Sequence, residues 1–309
     1  MRFLRSAAAI AATLCAATAS AQSTVTVYGK LDVGLRQAIG SEDREVATGG
    51  DSRLGFRGTE DLGGGLKAFF QIEHRFFGDT GGQDGAQFWK GISHVGLDTP
   101  WGRFALGRQY SAAFSLVQNQ IDPFGGDTVA QLRDVSMRVG GITKVRVDNS
   151  VRYDISANGF SAAASVAEAP ADGSAPDKHV SAAALYRQGP WFVAAGVEDP
   201  SGAEDKQWNV GAGYTVGPAA LTVGYSSGTT AAGADATGWM LGLNWTVGSG
   251  VVKAAYGQQE RDDETYARKL GLGYHHALSK RTTLYADIGH DAEAATRRTG
   301  YDLGIIHTF

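Results

Sequence analysis

Apolar and polar residues alternate with a period of two along most of this chain, the pattern of strands showing unlike environments on their two faces. Val25, Val27, Leu31, Val33 and Leu35 alternate with Thr24, Thr26, Lys30, Asp32 and Arg36. Leu66, Ala68, Phe70 and Ile72 alternate with Lys67, Gln71, Glu73 and Arg75. Leu221, Val223 and Tyr225 continue the pattern, as do Trp239, Leu241, Leu243 and Trp245. The last strand carries Tyr301, Leu303, Ile305, His307 and Phe309 between Asp302, Gly304, Ile306 and Thr308. A mostly apolar face ending on an aromatic suits an edge that closes against lipid, where an unpaired edge cannot persist. A well-packed terminal strand of a soluble sandwich would read the same way in isolation.

The connectors decide between these. Short turns at Asp61–Gly65, Asp98–Gly102, Ala157–Gly159, Gln188–Pro190, Gly217–Pro218, Gly248–Gly250 and Leu278–Lys280 separate longer polar segments. The long segments centre on Ser41–Gly50, Gly78–Gly85, Ser111–Thr143, Glu168–Lys178, Glu198–Lys206, Ser226–Ala236, Gln258–Glu264 and Asp291–Thr296. Short and long connectors in turn predict an all-β, up-and-down antiparallel transmembrane barrel of about sixteen strands. Trp101, Trp191 and Trp245 fall beside short turns, and Trp89, Trp208 and Trp239 toward long ones, as two interfacial girdles would.

The chain begins with a basic Met1–Arg5 segment, a short apolar stretch from Ala7 to Ala17, and the small-x-small site Ala19-Ser20-Ala21. This predicts an export signal over residues 1–21 and one mature barrel domain over 22–309. Cys15 falls in the signal, leaving a mature chain without cysteine whose stability rests on the sheet. Cleavage takes Arg2 and Arg5 from 28 basic side chains and leaves all 32 acids, making the chain more acidic than its formal charge of −4. That balance argues against nucleic acid as a partner. Glycine, at 43 of 309 residues, is about twice its usual share.

Signals for catalysis are weak. Gly63-Gly64-Gly65 lacks the helix and Lys-Ser/Thr pair of a phosphate loop and reads as a hairpin turn. His275 and His276 point to opposite faces of one strand, so they do not share a metal, and no cofactor is implied. Glu260–Glu264, and Glu198-Asp199 with Glu204-Asp205, either hold divalent cations that bridge lipopolysaccharide or are simply solvated. No motif gathers the serines, histidines and acids into a triad.

Several segments together resemble the general porins of Gram-negative outer membranes. They are Tyr28–Gly34, Ser52–Ala68, Leu106–Tyr110, Asp122–Asp127, Asp148–Tyr153 and the terminal Phe309. The resemblance spans the mature chain, with fewer matches between Phe160 and Gln258. It implies a homotrimer of sixteen-stranded barrels in outer-membrane lipid, each with a water-filled channel for passive diffusion of small hydrophilic solutes and ions. It also implies that the third long loop folds inward and narrows the channel. Independently, Ser111–Thr143 is the longest connector, and it opens with the apolar residues Ala112, Ala113, Phe114, Leu116 and Val117.

Inward parity in the first strands selects Lys30, Asp32, Arg53, Arg57, Lys67, Glu73, Arg75, Arg103, Lys144, Arg146, Asp148, Arg152 and Asp154, a mainly basic set. The resemblance aligns Lys30, Arg53 and Arg146, and less closely Arg152, with a basic arc opposite the constriction loop. It aligns Asp122 and, less closely, Asp127 with the acidic loop side. Such a pore would favour anions modestly, unless Asp148 and Asp154 neutralise the arginines. Parity also puts Arg108 on the lipid side. There it would pair with Asp79 or Asp84 of a neighbouring subunit, or a bulge at Gly107 would turn it inward.

Overall fold

The computed structural model describes residues 24–168 and 177–309. The expected export signal, its cleavage site, and most of the Glu168–Lys178 connector lie outside the described residues. One antiparallel sheet accounts for the architecture. Its first strands are β1 (Thr24–Gln37), β2 (Glu45–Thr48), β3 (Ser52–Gly63), β4 (Leu66–Phe76), β5 (Ser93–Thr99) and β6 (Gly102–Tyr110). After a long loop come β7 (Arg146–Ala157), β8 (Phe160–Ala167), β9 (His179–Gln188), β10 (Trp191–Pro200) and β11 (Lys206–Val216). The wall continues through β12 (Ala219–Thr229), β13 (Asp235–Val247), β14 (Gly250–Arg261), β15 (Glu264–Ala277), β16 (Thr282–Asp291) and β17 (Thr299–Thr308).

Strand β1 closes the barrel. It pairs with β17 from Lys30↔Thr308 to Gln37↔Tyr301, and on its other edge with β3 from Thr24↔Thr59 to Lys30↔Arg53. Beyond β17, Phe309 exchanges two backbone hydrogen bonds with Gly29, of 3.0 and 3.1 Å. A side chain at position 29 would run into the Phe309 ring. The short β2 takes over the upper edge of β1, from Val33↔Thr48 to Arg36↔Glu45. Thus β2 and β3 are two halves of one wall strand, interrupted at Gly49-Gly50-Asp51, and the wall has the sixteen staves that the connectors predict.

Burial is inverted relative to a soluble protein. On β1, Lys30 and Asp32 are buried while Leu31 and Leu35 are exposed. On β10, Phe192, Ala194 and Glu198 are buried while Val193 and Val197 are exposed. The apolar face outside and the polar face inside are what lipid around an aqueous lumen selects. Trp101 and Trp245 stand exposed at short turns, and Trp208 toward the opposite rim.

The 111–143 connector folds into the lumen. Its helical turns, Phe114–Gln118, Asn119–Ile121 and Arg133–Met137, carry Val117, Ile121 and Met137. These join Phe124 and Leu132 in an apolar cluster against Ala183, Phe192, Ala194, Met240 and Ala255 of the wall. Each such side chain fully removed from water contributes about 1.5–3 kcal/mol. The wall makes room with glycine: a side chain at Gly211 would strike Ile121, at Gly224 Met137, at Gly238 and Gly257 Ser136, and at Gly271 and Gly289 the backbone of Ala130 and Val129. These six positions, one on each strand from β11 to β16, account for part of the excess glycine. They form a seat for the loop.

Both ends of the loop are tied to one carboxylate. Buried Glu198 accepts from Ser111 Oγ at 2.6 Å and from the Lys144 amide at 2.6 Å, with His179 Nε2 at 3.2 Å. Arg152 adds a second tie, donating to the carbonyls of Tyr110 at 2.8 Å and Ser111 at 3.1 Å.

Candidate functional site

With the loop on the β11–β16 wall, the open part of the lumen lies against β1–β7. A polar cleft of about 360 Å³ sits there between wall and loop. Its charged lining comprises Arg53, Arg75, Arg133, Arg138 and Arg146 against Asp51, Asp127 and Asp134. Tyr110 and Phe114 stack at 5.1 Å between ring centres and floor it. Arg146 lies over the Tyr110 ring at 4.9 Å, and Arg133 over Phe114 at 5.0 Å, so flat aromatic faces hold two guanidinium groups in place.

Of the residues that sequence reasoning placed at the constriction, Lys30, Arg53, Arg146 and Asp127 come together. Lys30 Nζ lies 3.3 Å from Asp127, bridging wall and loop, and 3.5 Å from Asp32. Arg53 lines the cleft and enters no ion pair among the described residues. Arg152 does not join them. Its guanidinium is bound to Asp154 at 2.9 and 2.5 Å and holds the loop hinge, outside the lining of this cleft. Asp122 does not face the lumen either. It is buried, and accepts from the amides of Phe124 at 2.9 Å, Leu132 at 2.7 Å and Arg133 at 2.7 Å, folding the loop tip onto itself. Burial pushes its carboxyl up, against the pull of these donors.

The picture of a purely acidic loop facing a basic wall needs correction, because the loop contributes Arg133 and Arg138. Arg138 pairs with Asp134 at 3.0 Å and caps the Thr143 carbonyl, while Arg133 holds Asn119 at 3.0 Å and the Gly125 carbonyl. Neither residue was singled out from sequence, because a loop without a period gives no parity to read.

Asp51 was also missed. Between Lys30↔Arg53 and Val33↔Thr48, two residues of β1 face four on the interrupted strand. The extra backbone is pinned by Asp32, whose carboxylate accepts from the Gly50 amide at 2.8 Å and whose own amide donates to the Ser52 hydroxyl oxygen at 3.0 Å. The excursion carries Asp51, at φ +27°, to within 2.6 Å of Arg75 and 3.9 Å of Arg146. Burial alone would push the Asp51 carboxyl up, but Arg75, Arg146 and Arg53 outweigh it and hold it below the usual carboxylate range. Arg75 is held from behind by buried Glu73 at 2.7 Å.

Asp148 does not neutralise the cleft. Between the pairs Gly107↔Ser150 and Gln109↔Val147, β7 has two residues, Asp148 and Asn149, where β6 has only Arg108. Asn149, at φ +53°, absorbs the surplus. Asp148 thereby meets Arg108 at 2.7 Å, where Gln87 also donates to it at 3.1 Å and Arg108 reaches the Lys90 carbonyl at 2.7 Å. Within the chain Arg108 is therefore satisfied by Asp148, while Asp84 takes Lys90 at 2.7 Å and Asp79 takes the Thr48 hydroxyl at 3.3 Å. Arg108 is absent from the cleft lining and shares the parity of exposed Leu106.

Among the described residues, no cluster of three metal-ligating side chains exists. Glu198, read from sequence as part of an outer acidic pair, is instead the buried loop tie. His275 turns inward to Asp287 at 3.1 Å, while His276 approaches Ser249 and Tyr274.

Comparison with known proteins agrees with this architecture. The family model described as Gram-negative porin matches residues 6–295. Outer membrane porin protein 32 of Delftia acidovorans is 30% identical, covering 97% of this chain and 98% of its own. Among solved structures, the anion-selective porin from Comamonas acidovorans superposes with a TM-score of 0.81 at 28% identity, covering 93% of this chain and 100% of that one. The trimer form of OmpT from Vibrio cholerae shares the fold, with a TM-score of 0.73 at 16% identity over 93% of this chain and 99% of its own. Sequence, barrel and inward loop converge: the chain belongs to the Gram-negative porin family and is a multi-pass porin of the outer membrane.

Proposed function

We propose that the protein is a passive diffusion channel with a preference for small hydrophilic anions, assembled as a homotrimer after cleavage behind Ala21. One observation carries the selectivity: five arginines against three aspartates line the narrow cleft, in a chain that is acidic overall. Fixed charge of one sign in a water-filled passage with low-dielectric walls concentrates the opposite ion. Two of the arginines come from the loop, so a passing anion meets guanidinium groups on both sides. A relative of this length is described as anion-selective, which supports the same reading. The outward Arg108–Asp148 cluster is the surface we assign to subunit contact, with Asp84 linked to it through Lys90 and Asp79 on the same second long loop.

Reversal potential across a potassium chloride gradient tests this. The wild-type channel is expected to favour chloride, and Arg53→Ala with Arg146→Ala to move the potential toward cations. A cation preference in the wild type, or no movement in the double variant, overturns the reading. The preference should fade as salt rises, because fixed charges are screened over about 10 Å at 0.1 M.

A further inference from the structure

We infer that Asp51 is a tethered competitor for permeating anions, a residue that sets how tightly the arginine cleft holds its solute and how strongly it prefers anions. The inference rests on the anion-channel reading above. The three acids of the cleft are not equivalent. Asp127 is matched by Lys30 at 3.3 Å, and Asp134 by Arg138 at 3.0 Å and Arg133 at 3.4 Å. Both stand on the loop. Asp51 alone is inserted among the wall arginines, in contact with Arg75 and beside Arg146 and Arg53.

Its geometry is that of a ligand. A carboxylate oxygen 2.6 Å from a guanidinium nitrogen makes the contact that a passing carboxylate or inorganic oxyanion would make there. The Asp51 side chain remains 43% exposed while Arg75 beneath it is buried, so the carboxylate covers the guanidinium at the cleft wall and a solute reaching Arg75 must displace it. Arg75 does not depend on Asp51 for its position, because Glu73 holds it from the buried side. Arg146 keeps its place over Tyr110, whose hydroxyl it meets at 3.2 Å. The carboxylate is therefore dispensable for placing the arginines and still occupies them.

Conduction requires that an ion bind well enough to enter and weakly enough to leave. An internal carboxylate serves the second need: it takes back the guanidinium as the solute departs. Removing it should raise affinity at the expense of throughput.

The experiment compares wild type, Asp51→Asn and Asp51→Glu in planar bilayers, with folding checked by the heat-dependent shift in gel mobility. Potassium chloride gradients give the permeability ratio, and conductance over a concentration series in potassium chloride and potassium acetate gives half-saturation. Asp51→Asn is expected to raise the anion-to-cation ratio several-fold, and to make conductance saturate at a several-fold lower salt concentration. Asp51→Glu, which restores a carboxylate on a longer stem, should move both readouts back toward wild type. Asp43→Asn, which removes the same charge from an exposed outer loop, should move neither. Should Asp51→Asn not fold, Asp51→Ser makes the same test. An unchanged ratio with unchanged saturation, or a shift toward cations, overturns the inference. A cation-preferring wild type would defeat the anion-channel reading instead, and the change between wild type and variant would still report on Asp51.

Discussion

The two sides of the lumen solve opposite problems with opposite residues. The wall of β1–β7 gathers Lys30, Arg53, Arg75 and Arg146 around the cleft, while the wall of β11–β16 presents glycine to the constriction loop. The first side clusters its cations around Asp51 and Asp127 and leaves Arg53 without an ion pair among the described residues. The second removes every atom beyond the backbone so that Ile121, Ser136, Met137 and the Val129–Ala130 segment can approach. Selectivity and pore size are thus built on different strands, and substitutions on the two sides should fail in different ways.

The largest effect is expected on the seat. Gly211→Leu with Gly224→Leu drives side chains into Ile121 and Met137, and overpacking of this kind costs about 1–3 kcal/mol at each site. Thermal unfolding should shift down, and single-channel steps should become irregular as the loop leaves the wall. Regular steps of unchanged size would show that the seat is not needed. Next comes Asp122→Ala, which strands three amides in the loop at about 1–3 kcal/mol for each, offset in part because a carboxylate penalised by burial is removed with it. Differential scanning calorimetry should record that loss with the permeability ratio little altered.

On the charged side the order reverses. Arg53→Ala should leave the unfolding midpoint within about 0.5 kcal/mol of wild type, since Arg53 enters no ion pair among the described residues, while moving the reversal potential toward cations. Smallest is Arg108→Ala. The pair with Asp148 is half open to solvent, and screening limits such pairs to about 0–1 kcal/mol. Across subunits the expectation differs: with this cluster at the subunit contact, trimers of the variant should dissociate at a lower temperature on a mild detergent gel, and no change would overturn that assignment.

Acid distinguishes the two carboxylates in sign. Asp51, held low by its arginines, keeps its charge as pH falls through the ordinary carboxylate range near about 4 and loses it only below. Its ion pair therefore stabilises the fold at and above that range and is lost as pH falls through its lowered value. Asp122, pushed up by burial, is expected to gain its proton at higher pH than Asp51. Conductance noise recorded during acidification should accordingly rise before the permeability ratio changes.

Much of this was legible in the sequence, wherever a period exists to be read. The wall and the inward parity of Lys30, Arg53 and Arg146 follow from alternation, the sixteen staves from the connectors, and the grouping of those three residues from the resemblance. Legibility stops where a residue is added to a ladder. One surplus residue at Asp148-Asn149 moves Asp148 from the pore to Arg108, and the excursion at Gly49-Gly50-Asp51 puts an acid where alternation gave no hint of one. It stops again in the loop. Asp122 and Asp127 look alike along the chain, yet the fate of Asp122 is decided by the amides of Leu132 and Arg133, ten and eleven residues away.

The interruption between β2 and β3 has a consequence for how such channels diverge. Asp51 belongs to neither strand, so its side chain can be exchanged without disturbing any cross-strand register or exposing a new group to lipid. Most positions in a membrane barrel are filtered twice, once for insertion and once for transport. Position 51 escapes the first filter. A lineage adapting to a change in the anions outside it could retune its permeability there by single substitutions, losing an ion pair but no strand pairing.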